Sequence, residues 1–163
     1  MKKVGIVMGS TSDLPTVEKA IGILKDYGVP FEVRVLSAHR CPQEAKEFAE
    51  TARESGFSVL IAAAGMAAHL AGALAANTTL PVIGIPCRSS GSDGTDALLS
   101  TVMMPSGIPV ATVAIDGAKN AAILAVEIMS VYEEELAKKL AETREAGRQA
   151  VLSADREIRE RYK

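Results

Sequence analysis

The sequence is poor in aromatic residues: 163 positions hold no tryptophan, three tyrosines and three phenylalanines. That scarcity argues against a flavin site built on ring stacking. Cysteine is scarce too. Cys41 and Cys87 have no CxxC spacing and are too few for a disulfide scaffold. The two histidines, His39 and His69, fall in separate segments with no acidic cluster beside them, so a metal site has little to stand on and none is expected. Neither charge sign dominates. Eighteen Lys and Arg against twenty Asp and Glu leave a formal charge of −2, and no basic stretch is dense enough to grip nucleic acid. The start, Met1-Lys2-Lys3-Val4, runs straight into a strand pattern without a signal-peptide core, so a reduced, cytoplasmic protein is expected. What is present, 48% hydrophobic and 23% charged residues, is the balance of one globular domain.

Charge is absent altogether from Ser55 to Cys87, a run of 33 residues. The apolar part from Val59 to Ala76 has the length of a membrane span. Against that reading, it is mostly Ala and Gly, it carries His69 within it, and no Lys or Arg flanks it closely. A buried strand followed by a packed helix is the reading adopted, with no membrane partner.

The rest of the chain follows one grammar. Lys3 to Met8 is a continuous apolar strand, as expected where both faces are covered. Leu14, Val17, Ile21 and Leu24 then recur at helical spacing, Ser12 or Asp13 can cap, Pro15 falls in the first turn and Gly28 ends the helix. Further strands are predicted at Phe31–Leu36, Ser58–Ala63, Pro81–Ile85 and Val110–Ile115. Helices are predicted at Pro42–Glu54, with Ala45, Phe48, Ala49 and Ala52 inward, and at Ala67–Asn77, Asp96–Met103 and about Ala118–Tyr132. Alternation of this kind implies right-handed crossovers and a parallel sheet. The expected fold is α/β: a three-layer, flavodoxin-like unit with a five-stranded parallel sheet and helices on both faces.

The tail is of another kind. Residues 133 to 163 hold eight basic and eight acidic residues, and Leu136, Leu140, Val151, Ala154 and Ile158 form a thin apolar seam interrupted by Gly147. A catalytic domain over 1–132 and a helical extension over 133–163 are expected. The extension either lies along its own domain or packs on a neighbouring subunit.

In an open parallel sheet, ligands bind beyond the carboxyl ends of the strands, where helix N-termini present unpaired N–H groups. The first such loop, Gly9-Ser10-Thr11-Ser12-Asp13, is small and hydroxyl-rich at a helix start, which suits a phosphate or a plain capped turn. It is neither a P-loop nor a dinucleotide fingerprint. The second, Ser37-Ala38-His39-Arg40-Cys41-Pro42, sets an imidazole that titrates near neutrality beside a guanidinium fork. The third, Ala62 to His69, has almost no side-chain bulk at its start, which admits close approach to the backbone, and tight packing explains it equally. His69 faces either the same cavity or the core. The fourth, Ser89 to Asp96, is a Gly- and Ser-rich lid or an ordinary exposed loop. Cys41 and Cys87 are read as structural thiols.

Several of these stretches together resemble one family. Met8-Gly9-Ser10 with Ser12-Asp13, Ser37-Ala38-His39-Arg40 with Pro42, Ala67-Ala68-His69-Leu70, Pro81-Val82-Ile83-Gly84 with Pro86, Gly94, Asp96, Met104-Pro105, Gly107, Pro109-Val110-Ala111-Thr112 and Asn120-Ala121-Ala122 stand in the order of the PurE family of purine biosynthesis. Its bacterial members are N5-carboxyaminoimidazole ribonucleotide mutases. The resemblance implies an octamer with active sites between subunits, an aminoimidazole ribonucleotide as substrate, and no organic cofactor or metal. It implies His39 as the catalytic acid and base, and Ser10, Asp13 and Arg40 as residues that hold the ribose phosphate. Gly9, Ser12, Ser37, Gly65 and His69 complete the expected binding set.

The chain also departs from the family. Ala63-Ala64-Gly65-Met66 stands where Gly-Ala-Gly-Gly is common, and Ala71, Ala97 and Met103 replace a usual Pro, Ser and Gln. Animal-type relatives carboxylate aminoimidazole ribonucleotide directly with CO2, but that class usually has Lys where this chain has Arg40, so the mutase is the reading preferred. A non-enzymatic flavodoxin-like module is a weaker alternative. A phosphoacceptor receiver needs Asp at the end of the third strand, which here reads Ala62-Ala63-Ala64.

Overall fold

The computed structural model describes all residues, 1–163. Five strands, β1 (Lys3–Met8), β2 (Phe31–Val35), β3 (Phe57–Gly65), β4 (Val82–Cys87) and β5 (Ala111–Thr112), form one parallel sheet in the order β2-β1-β3-β4-β5. This is the flavodoxin-like order expected from the alternation of strands and helices. The helices are α1 (Leu14–Tyr27), α2 (Pro42–Thr51), α3 (Leu70–Ala75), α4 (Thr95–Val102), α5 (Ala118–Ser130) and α6 (Glu134–Arg161), with a short 3₁₀ turn at Thr11–Asp13.

The sheet has a core on each face, because successive strand residues point to opposite sides. Val4, Ile6 and Met8 join Val59, Ile61, Ile83 and Ile85 beneath Val17 and Leu24 of α1 and Ala122 and Val126 of α5. Val7, Leu60, Ala62 and Val82 face the other way, against Phe48 and Ala49 of α2 and Leu70 and Leu74 of α3. Ala45, Phe48, Ala49 and Ala52 are all buried, as the helical spacing predicts. Gly28, at φ 71°, ends α1 with its N–H on the Leu24 and Lys25 carbonyls.

The structure moves several boundaries. The membrane-length stretch is resolved as β3, a turn and α3, and no helix is long and apolar enough to cross a membrane. The α3 helix begins at Leu70, not Ala67, because Met66 adopts φ 57° and the N–H groups of Ala68 and His69 turn back to Met66 and Ala67. The predicted strand at Val110–Ile115 shrinks to two residues that pair with Ile83 and Gly84. Pro109 precedes it, and the strand lies at an edge with a partner on one side only. The helix predicted to Glu54 stops at Thr51.

The tail forms a single helix, and Gly147 does not break it. Its first turns supply more of the subunit's own core than a thin seam suggests: Leu136 and Leu140 are buried among the side chains of the α1 and α5 layer. Lys139 Nζ donates to the Tyr27 carbonyl at 3.0 Å, and Arg144 pairs with Glu127. From Ala141 onward every residue is exposed except the half-buried Ser153.

Candidate active site

A cavity of about 640 Å³ opens at the carboxyl ends of β1 to β4, and all nine residues singled out in the sequence lie on its wall: Gly9, Ser10, Ser12, Asp13, Ser37, His39, Arg40, Gly65 and His69. The sheet order explains the meeting. The loop after β1 sits between those after β2 and β3, so three stretches remote in sequence share one rim.

Each loop is shaped by its own short-range bonds. In the first, Ser10 is extended, its Oγ accepts from the Ser12 N–H at 3.3 Å and the Ser12 hydroxyl at 3.1 Å, and the Asp13 N–H donates to the Ser10 carbonyl. This Ser-capped turn leads into α1 and leaves Asp13 half-buried at the helix start. Burial raises the Asp13 pKa above the usual carboxylate range, a backbone N–H of Ser10 opposes this, and the charge of Asp116 adds to it.

In the second loop, the Arg40 N–H donates to the Ser37 Oγ at 3.2 Å, and the Cys41 N–H donates to the Ser37 carbonyl at 2.8 Å. Cys41 Sγ in turn accepts from the Ser37 N–H and donates to the Ser37 carbonyl. The hydroxyl of Ser37 and the thiol of Cys41 thus wind the turn, and α2 starts at Pro42 immediately after it. His39 and Arg40 stand on the outside of that turn, exposed to the cavity.

His69 lies on the cavity wall, not in the core, directly before α3. The left-handed backbone at Met66 turns the chain from β3 toward that histidine, and the Met66 side chain is 65% exposed. Cys87 is buried, and its thiol is pushed up to about 12 by that burial with the charges of Asp13 and Asp116 adding to it. It is a neutral structural thiol. No three His, Cys, Asp or Glu side chains cluster as metal ligands would.

The family described as AIR carboxylase matches residues 3–150. An N5-carboxyaminoimidazole ribonucleotide mutase of Pyrococcus abyssi is 57% identical over 145 residues, covering 89% of this chain and 83% of that protein. The enzyme of that name from Bacillus subtilis is 54% identical over 157 residues, covering 95% of this chain and 97% of the relative. Among solved structures, Treponema denticola PurE superposes with a TM-score of 0.85 at 31% identity, covering 93% of this chain and 95% of its own.

The chain belongs to the AIR carboxylase family. Beyond the nine, the wall takes in further residues of the same strand-end loops and one, Arg88, that no loop or motif of the sequence had named. Ala38, Ala64, Met66, Ala67, Leu70, Arg88, Ser89 and Ser90 also line the cavity. A cation directly after a buried strand was the available signal for Arg88. Asp116 had none, because its place is set by a backbone at φ 56° that only the fold reveals.

Proposed function

We propose that this member of the AIR carboxylase family is an N5-carboxyaminoimidazole ribonucleotide mutase, an isomerase that moves a carboxyl group from N5 to C4 and yields 4-carboxy-5-aminoimidazole ribonucleotide for purine (IMP) biosynthesis. The observation that carries the reading is the convergence of His39, Arg40, Ser10 and Asp13 on one cavity in a chain more than half identical to mutases. Arg40 and Ser10, with the N-terminus of α1, receive the phosphate, and Asp13 holds the ribose that carries it. His39 protonates N5 as the N–C bond to the carboxyl group breaks and CO2 departs. CO2 is retained against the small residues at 62–68 and attacked by C4. His39 then takes the C4 proton and aromaticity returns. The proton given at nitrogen equals the proton removed at carbon, so one imidazole serves both ends, a role worth about 10²–10⁴ in rate.

Eight copies assemble in this proposal, and the exposed outer half of α6 meets a neighbouring copy. Val151 and Ile158, 70% and 55% exposed and seven residues apart on one helix face, are the apolar surface such a contact would cover. Both thiols are unpaired, as suits the cytoplasm.

Separate presentation of the two nucleotides tests the activity. Turnover of the N5-carboxylated compound without added CO2 is the expected result. Inertness of that compound, with carboxylation of aminoimidazole ribonucleotide by free CO2, would instead make the chain a direct carboxylase.

A further inference from the structure

Two arginines line the cavity, and the site as described uses one of them. Arg40 follows β2, whereas Arg88 is the first residue beyond β4, with Ser89 and Ser90 next to it on the wall. In the order β2-β1-β3-β4 these strands are three spacings apart, so their ends lie about 14 Å from one another. The two cations therefore approach a bound nucleotide from opposite sides.

Arg88 is positioned from several directions. Its N–H donates to Asp116 Oδ1 at 3.1 Å, and its Nε lies 3.5 Å from Asp116 Oδ2. The charge of Arg88 is also felt by the nearby Asp93 carboxylate. Gly94, at φ 96°, closes over the stem: a Cβ there would fall 3.3 Å from Arg88 Cγ and 2.6 Å from Ile115 Cγ2. Only glycine lets the loop lie that way. The main chain of Arg88 also abuts the small-residue loop, since a Cβ on Gly65 would meet the carbonyl oxygens of Cys87 and Arg88 at 3.1 and 3.8 Å.

The head of Arg88 remains available. Its side chain is 69% exposed, and an exposed ion pair of this kind is worth about 1 kcal/mol or less. A carboxylate that accepts both N–H groups of the fork displaces Asp116 at small cost. Charge balance calls for such a contact. Asp13 is the only carboxylate on the wall, while the substrate and product of the mutase each carry a phosphate and a carboxylate. Arg40 answers the phosphate and the proton of His39 is given up to N5, which leaves Arg88 as the remaining cation of the wall that keeps its charge before and after transfer.

We propose that Arg88 recognises the carboxylate of the N5-carboxylated substrate and of the 4-carboxylated product, and so distinguishes these nucleotides from aminoimidazole ribonucleotide. The proposal rests on the mutase reading and deepens it. Released CO2 is neutral, so the contact holds the two end states and lapses during transfer.

Calorimetric titration of wild type, Arg88→Gln and Arg88→Lys with 4-carboxy-5-aminoimidazole ribonucleotide and with aminoimidazole ribonucleotide tests this. The Gln variant is expected to bind the carboxylated nucleotide about tenfold more weakly while its constant for the other nucleotide stays within about twofold. The Lys variant, which keeps the charge, is expected to retain part of the preference. Equal weakening for both nucleotides, or none for either, would overturn the role of Arg88. Failure of the wild type to bind either nucleotide would overturn the mutase reading itself.

Discussion

Asp13 is asked to do two things that conflict: to face a cavity that needs polar groups, and to remain charged while half-buried near Asp116. Its raised pKa means that the folded protein holds the proton more tightly than the unfolded chain does. The stability this group contributes is therefore fully present below the ordinary carboxylate pKa and is lost as pH rises through the raised value. Asn at this position carries no charge at any pH. Asp13→Asn is expected to melt above wild type at neutral pH, with the gain vanishing in acid, when both are followed by scanning calorimetry. The same variant should bind nucleotide more weakly, a trade of stability against function. His39 presents the opposite case, since it stands exposed on its turn and makes no side-chain hydrogen bond that holds the fold. His39→Asn should keep the melting temperature and the nucleotide affinity while turnover falls by about 10²–10⁴. Arg40→Leu should instead act mainly on KM, and steady-state kinetics of the two variants separates the roles.

At the scale of elements, the turn between β3 and α3 holds one of the two residues other than glycine that take a positive φ, Met66, the other being Asp116. Met66 sits at φ 57°, a backbone that favours glycine, and its exposed side chain gives little packing in return. Met66→Val therefore loses scarcely any burial, yet a β-branched side chain at positive φ costs about 1–2 kcal/mol. Urea unfolding should show that loss, and Met66→Gly should show none. This turn also marks where the sequence stopped being legible. Strands β1, β3 and β4 were readable because burial on both faces demands unbroken apolar runs. The N-terminus of α3 was not, since Ala67, Ala68 and His69 suit a helix, and nothing local shows that the preceding residue turns left-handed. Strand β5 misled for the converse reason: Val110 to Ile115 is apolar enough for a long strand, but an edge position after Pro109 leaves it two paired residues. The site was readable to the extent that topology alone determines it, for strand-end loops in a parallel sheet must share a rim. Arg88 escaped notice because its loop was read for glycine and serine, and its partner Asp116 comes from a turn 28 residues later.

For the molecule as a whole, α6 divides into two parts with different tasks. Its first turns are anchored: Leu136 is 1% exposed, Leu140 is buried, and Lys139 ties the helix to the end of α1. Beyond Arg144 its residues are exposed apart from the half-buried Ser153, yet they include Val151, Leu152 and Ile158 among the charges. A helix this polar gains little by lying in water, and an apolar stripe of this spacing is stabilised when a second surface covers it. Removing residues 144–163 takes away one exposed ion pair to the rest of the subunit, Arg144 with Glu127, worth about 1 kcal/mol or less; the pairs Arg148 with Glu145 and Arg159 with Asp155 lie within the segment removed. It leaves both core leucines in place. The shortened chain is therefore expected to fold, with its near-ultraviolet signal and cooperative melting kept, but to lose the contacts between copies. Sedimentation velocity should find the full-length protein at eight times the 17.1 kDa chain mass and the shortened protein in smaller species. An octamer that survives the truncation would assign the assembly to other surfaces, such as the exposed Leu99, Val102 and Met103 at the end of α4.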